Sequence, residues 1–261
     1  MTMIERSDTG AVARLTLNSP ERLNALSDAM LTALTDHLTA LAEDSHIRAV
    51  VLAGAGKVFC AGHDLKEMTT ARESADQGRA YFSDLFNRCA AVMMAIRALP
   101  QPVIAEVHGI ATAAGCQLVA SCDMAIAAEG TRFGVNGVNI GLFCSTPMVA
   151  LSRNVPRKQA FEMLVTGGFI NEARAAELGL INRAVPATDL TRETMDLAAM
   201  VAAKLGGAVR IGKHAFYEQV EMPVEQAYTY TGSAMTENMM LEDTAEGIAA
   251  FLGKRQPDWT Q

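Results

Sequence analysis

His108-Gly109-Ile110-Ala111-Thr112-Ala113-Ala114-Gly115-Cys116-Gln117-Leu118 follows the apolar run Val103–Val107 and decides how the chain is read. Val103–Val107 has the length and branching of a short buried strand, and the residues from Gly115 onward suit a helix. Between the two stand small residues, where a ligand can approach unpaired backbone N–H groups closely. A second segment, Phe59-Cys60-Ala61-Gly62-His63-Asp64-Leu65, has the same form: it follows the strand-like Ala49-Val50-Val51-Leu52 and opens a helix. Two N–H groups converging on one carbonyl oxygen make an oxyanion hole, and a following helix adds a favourable dipole. Such a hole suits thioester activation. The alternative is that both segments are tight strand-to-helix turns and nothing more.

Working outward, Val12–Leu17 alternates apolar residues with Arg14 and Thr16, the period of a half-buried strand. Asn18, Ser19 and Pro20 end it, and Ser27 is placed to cap a helix carrying Met30, Leu31, Leu34, Leu38 and Leu41 on one face. Phe82, Leu85, Phe86, Cys89, Val92, Met93 and Ile96 mark another helix, with Pro100 and Pro102 at its exit. The polar segment 69–77 before it reads as a mobile loop. A strand is expected at 124–127 and another at 180–185, with helices over 192–205 and 225–252. No long linker, low-complexity tract or clean internal repeat is visible. These alternations predict an α/β core, spiral or layered, over residues 1–200 and a helical C-terminal region over 201–261.

The chain has 261 residues, 50% of them hydrophobic, with 22 basic and 29 acidic side chains and a net charge of −7. An acidic balance of this kind predicts neither a nucleic-acid partner nor an anionic-membrane surface, since both need clustered Lys and Arg. The apolar stretch 102–128 is interrupted by Glu106, His108, Gln117 and Asp123, so no membrane insertion is expected. The first twenty residues hold Glu5, Asp8 and Arg14 with no apolar run, from which a cytoplasmic location is expected. Cys60, Cys89, Cys116, Cys122 and Cys144 never fall in a C-x-x-C spacing and predict buried, reduced thiols and no metal site.

Gly54-Ala55-Gly56 imitates a dinucleotide fingerprint, but Phe59 stands where its third glycine is needed, which leaves a turn. Walker A, G-x-S-x-G and H-E-x-x-H patterns do not occur, so phosphoryl transfer, α/β-hydrolase and zincin chemistry lack support. The fifteen methionines, including Met93, Met94, Met239 and Met240, fit helical core filling. Glu106 is an unusual acid in an apolar strand, read as a salt-bridge partner or as a pocket-facing base. His37, His46, His108 and His214 read as structural or surface residues.

Three ordered signatures then carry a resemblance: residues 18–26 (NSPERLNAL), residues 59–68 (FCAGHDLKEM) and residues 109–123. Together with the ending Ala250-Phe251-Leu252-Gly253-Lys254-Arg255, they resemble the enoyl-CoA hydratase/isomerase (crotonase) superfamily over nearly the whole chain. The resemblance implies a spiral of repeated β-β-α units with a helical trimerisation region, forming a homotrimer or a dimer of trimers. It implies an acyl-CoA thioester substrate, with no cofactor beyond the CoA moiety. The oxyanion-hole N–H groups would be those of His63 and Ala114, and alanine at 114 would restrict φ where the family usually has glycine. Coenzyme A would lie along Arg22, Asn24, Ala25 and Leu26, along Ala61, Gly62, Asp64 and Leu65, and beside Gly115. Phe251 and Lys254 match positions that meet the adenine and ribose phosphate in a neighbouring subunit; a solvated helix end is the other reading of Lys254.

The departures from the family pattern bear on mechanism. Hydratases of the superfamily carry glutamates at the positions matching Gln117 and Gly137, and neither residue here can titrate near neutral pH. Gln117 is left to orient water, and glutamate restored at both positions is expected to raise hydration. His63 can titrate near neutrality, and a histidine at this place also resembles methylmalonyl-CoA decarboxylases, whose tyrosine would fall near Cys144. Cys144 is read as a nucleophile or as a structural thiol. Hydratase-type lyase chemistry, decarboxylation, isomerisation and silent acyl-CoA binding all remain open.

Overall fold

The computed structural model describes residues 2–260. Ile4–Thr9 (β1) and Val12–Leu17 (β2) form an antiparallel hairpin. Only Ile4 of β1 is buried apart from its backbone pairing, which is why a strand of Glu, Arg, Ser, Asp and Thr escaped the hydrophobic pattern. The Ser27 hydroxyl accepts from Met30 N–H and starts α1 (Asp28–Ala42), whose expected apolar face is buried. Ala49–Gly54 (β3) pairs parallel with β2. Val50 and Leu52 face the main core, whereas Ala49 and Val51 face a smaller one, so this central strand is apolar on both sides.

Leu65–Ala71 (α2) and Arg79–Ala98 (α3) follow. The segment read as a mobile loop is instead turned structure: Thr69 to Ala71 finish α2, and N–H groups of Arg72, Glu73 and Ser74 bond back three residues. Val103–Val107 (β4), Ile110–Thr112 (β5), Ala114–Ser121 (α4), Met124–Ala128 (β6) and Arg132–Gly134 (β7) come next. Then Pro147–Asn154 (α5), Arg157–Thr166 (α6), Phe169–Asn171 (β8), Glu172–Glu177 (α7) and Arg183–Val185 (β9) lead to Leu190–Ala202 (α8). Gly206–Gln219 (α9), Val224–Met239 (α10) and Glu242–Leu252 (α11) complete the described chain. The helix expected over 225–252 is thus two, broken at Met240 and Leu241.

The strands make two sheets. The larger has the order β1-β2-β3-β4-β6-β9, and the smaller β5-β7-β8, while an isolated bridge adds Cys60 beside Ala111 of β5. Residues therefore pass from a strand of the large sheet to one of the small sheet and then into helix, three times in succession. β3 leads to Cys60 and α2, β4 to β5 and α4, and β6 to β7 and a 3-10 turn at 136–140. This structural repeat has no matching sequence repeat, because each turn packs a different set of neighbours. α8 covers the far face of the large sheet through Ala198 and Ala202 on Val12, Ala49, Val51 and Ile104.

Candidate functional site

Register aligns the three turns of the repeat. Cys60 pairs with Ala111, and Ala111 pairs with Phe133, all in parallel. Three residues onward from each stand His63, Ala114 and Asn136, and all three line one cavity of about 370 Å³. The family resemblance pairs the first two; the third, Asn136, is in a stretch with no periodic signal.

Close backbone approach holds the first two turns side by side. A Cβ on Gly62, at φ +93°, would lie 3.0 Å from Ala113 Cβ and 3.4 Å from Ala114 N. At Gly115 a Cβ would sit 2.2 Å from Cys60 O, so only glycine lets α4 start this near the first turn. Ala113 N–H donates to Gly134 O at 2.9 Å, which ties in the third turn. Ala114 is the first residue of α4, where an N–H has no intrahelical acceptor. Among the described residues neither His63 N–H nor Ala114 N–H has a hydrogen-bond acceptor. The φ restriction expected at Ala114 falls one residue earlier: Ala113 has φ 50° and ψ −120°, a conformation that costs an L residue about 1–3 kcal/mol.

His63 Nδ1–H donates to Leu26 O at 3.4 Å, which fixes the tautomer and leaves Nε2 as a lone pair. Nε2 is buried without a partner, and burial draws the imidazole below its ordinary pKa, so the ring is neutral near pH 7. Phe86 packs edge-on against it at 5.7 Å. Cys144 is also on the cavity wall, with its thiol pushed up by burial. It stays a thiol near neutrality, as do Cys60, Cys89 and Cys116, each pushed up to about 12 by burial. No lining residue is a carboxylate, ammonium or guanidinium, which makes His63 the one basic side chain on the wall.

Gln117 is one turn behind Ala114 and is not among the lining residues; its buried Oε1 has no partner. Gly137 does line the cavity, but the space for a side chain there is filled. Its Cβ would meet Leu142 O at 2.3 Å and Cys144 Sγ at 3.0 Å, because residues 141–144 fold back over it. Leu142 N–H donates to Gly137 O at 2.9 Å and closes that turn. The expectation that glutamate at 137 would restore hydration is therefore corrected: the backbone carbonyl leaves it no room.

The residues read as a CoA path divide by what already occupies them. Ala61 and Leu65 line the cavity. Arg22 is half-exposed beside Asp64 at 3.0 Å and Glu67 at 3.7 Å, and Asp64 caps α2 by accepting from Lys66 N–H and Glu67 N–H. Asn24, fully buried at φ 51°, accepts from Ser19 N–H and donates to Ala55 O and Val58 O, so its side chain holds a loop. Ala25 and Leu26 are buried, and Leu26 belongs to the main core. Phe251 and Lys254 are exposed at the end of α11 and do not line the cavity. Glu106 takes a 2.6 Å ion pair from Arg14 and a bond from Thr191 Oγ1 at 3.0 Å, which gives the salt-bridge alternative. No group of described residues could hold a metal ion.

A two-sheet α/β spiral with small-residue turns at one cavity defines a class, and comparison with known proteins gives the same one. A model of the enoyl-CoA hydratase/isomerase family matches residues 7–261, and the chain belongs to that family. Its fold is the crotonase fold: an enoyl-CoA hydratase of Mycobacterium smegmatis superposes with a TM-score of 0.94 at 53% identity, covering 99% of each chain. Human enoyl-CoA hydratase domain-containing protein 3 gives 0.93 at 44% identity, over 98% of this chain and 100% of that one.

In sequence the chain is 46% identical to the mouse protein "Enoyl-CoA hydratase domain-containing protein 3, mitochondrial", over 95% of this chain and 81% of the mouse protein. That branch is the one the chain resembles through residues 111–123 and 137–147. The names also correct the expected cytoplasmic location. Mouse, frog, human, rat and zebrafish relatives are all named as mitochondrial, against the cytoplasmic expectation. No described helix is long and apolar enough to cross a membrane.

Proposed function

We propose that this chain is an acyl-CoA-binding lyase of the hydratase type, with both usual catalytic glutamates replaced and His63 as its acid and base. The observation that carries the proposal is the pair of adjoining turns whose His63 and Ala114 N–H groups lack acceptors beside the cavity. A thioester oxygen between them would gain hydrogen bonds as charge moves onto it, and each donor of this kind contributes about 3 kcal/mol to transition-state stabilisation. The N-terminus of α4 adds its dipole.

His63 Nε2 takes a proton from the water that adds at the β carbon of an enoyl thioester. The same proton then passes from Nε2 to the α carbon as the enolate collapses, which returns the ring to its starting state. Cys144, as a protonated thiol, takes no nucleophilic part. Pantetheine would follow Ala61 and Leu65, with Arg22 as a cation of the same path. The names of the relatives, which specify enoyl-CoA, support the same substrate class.

The proposed assembly is a homotrimer or a dimer of trimers. Support comes from exposed apolar side chains on the last three helices, among them Phe216 (59%), Tyr228 (77%) and Phe251 (82%). Decarboxylation of a malonyl-type thioester is the weaker enzymatic reading, since its carboxylate would meet no cation on the wall. A silent acyl-CoA binder is the second reading, favoured by the filled space at Gly137 and by Gln117 standing off the wall.

Exchange of the α protons of butyryl-CoA in deuterated buffer, read by mass spectrometry, tests the enolate chemistry apart from hydration. Exchange is expected, with His63→Gln slowing it by roughly 10²- to 10⁴-fold. The base must be neutral to act, so the rate is full at pH 7. It falls on acidification only below the ordinary histidine value of 6.5, as burial lowers this pKa. A thioester that binds yet exchanges no faster than in buffer would favour the silent binder.

A further inference from the structure

The third turn of the repeat presents a side chain where the first two present backbone. Asn136 occupies the position equivalent to His63 and Ala114 by strand register, and it is on the wall of the same cavity. Thr112, also on that wall and 9% exposed, donates its hydroxyl to Asn136 Oδ1 at 2.7 Å. That bond takes up the amide oxygen and fixes which way the amide faces. The two Nδ2 protons have no acceptor among the described residues.

Three other polar side chains of the wall are already engaged by main chain, while Thr146 Oγ1 and His63 Nε2 have no bond among the described residues. Asn139 donates to Gly167 O, Ser145 to Phe143 O and His63 to Leu26 O. With no charged side chain lining the cavity, a carboxylate on the acyl chain would enter without a counter-ion, whereas a neutral oxygen needs only a donor. Much of the remaining wall is apolar, from Leu65, Met68, Phe86, Ile140, Leu142 and Phe143. An oriented amide in such a surface discriminates by leaving itself unpaired when the ligand lacks a matching oxygen.

We propose that the Thr112–Asn136 pair is the acyl-recognition element of this cavity. Its amide N–H groups donate to a hydroxyl or keto oxygen on the acyl chain, so oxygenated acyl-CoA thioesters bind in preference to saturated ones of equal length. This specificity rests on the acyl-CoA reading above and goes beyond it by assigning a residue and a class of acyl group.

Titration calorimetry of the whole chain with acetoacetyl-CoA, whose keto oxygen the proposed lyase cannot eliminate as water, and with butyryl-CoA decides the matter. Acetoacetyl-CoA is expected to bind roughly threefold to tenfold tighter than butyryl-CoA, the worth of one hydrogen bond to a neutral oxygen. Asn136→Leu is expected to bring that ratio to one. Asn136→Asp, which keeps the acceptor for Thr112 but removes the donors, is expected to do the same and guards against a misfolded leucine variant. Equal affinities in the unaltered chain, or a preference that survives both substitutions, would overturn the inference while leaving the acyl-CoA reading intact. Binding of no thioester at all would overturn both.

Discussion

At Gly137, one of the two positions where the family resemblance leads one to look for a carboxylate, the space for a side chain is already filled. Gly137 has Leu142 O at 2.3 Å from the place of its missing Cβ, so replacing it displaces backbone rather than a flexible side chain. Gly137→Ala is expected to destabilise the fold by about 1–3 kcal/mol in urea unfolding, the usual effect of overpacking a filled site. Unchanged stability would mean that the 141–144 turn yields readily and that the space is available after all. Small residues after strands marked the two turns in the sequence, and the family resemblance then named His63 and Ala114 on them. The strain at Ala113 and the obstruction at Gly137 were not, since each is created by a neighbour distant from any local pattern. Asn136 was hidden for the same reason: its place beside His63 follows from strand register, which one sequence does not print.

At the scale of elements, the helices of regular apolar period were readable: α1 buries the face expected of it, and so does α3 except that Phe82 and Phe86 are only partly buried. Short strands were not. β5, β7 and β8 have three residues each, below the length at which alternation means anything, and they are the small sheet that carries the site. The attachment of α9 was equally invisible. Lys213 reaches from that helix into the core, where Nζ donates to Ile96 O, to Gln101 O and to Asp123 Oδ2 at 2.7 Å. Tyr217 adds a bond to Asp123 Oδ1 at 2.8 Å, and Arg97 stacks over its ring. Removing the ammonium leaves a partly buried carboxylate and two carbonyls without their partner. Lys213→Met is therefore expected to cost about 3 kcal/mol and to speed amide exchange across α9 first; protection of α9 equal to that of α1 would show that the helix docks by apolar contact alone.

Across the whole molecule, the spiral brings equivalent points of three successive turns to one cavity, two giving backbone donors and the third an amide. The exposed apolar residues of α9 to α11 are expected to be covered in a homotrimer or its dimer; a monomeric mass in sedimentation equilibrium would contradict that assembly. The central claim is narrower and needs no knowledge of the natural acyl group. If the His63 and Ala114 N–H groups close on a thioester oxygen, they polarise its carbonyl bond before any chemistry occurs. Infrared difference spectra of bound butyryl-CoA carrying ¹³C at the thioester carbonyl measure this directly. The account predicts a carbonyl stretch shifted to lower frequency than in buffer, and a bound ligand whose stretch stays at its solution frequency would contradict it.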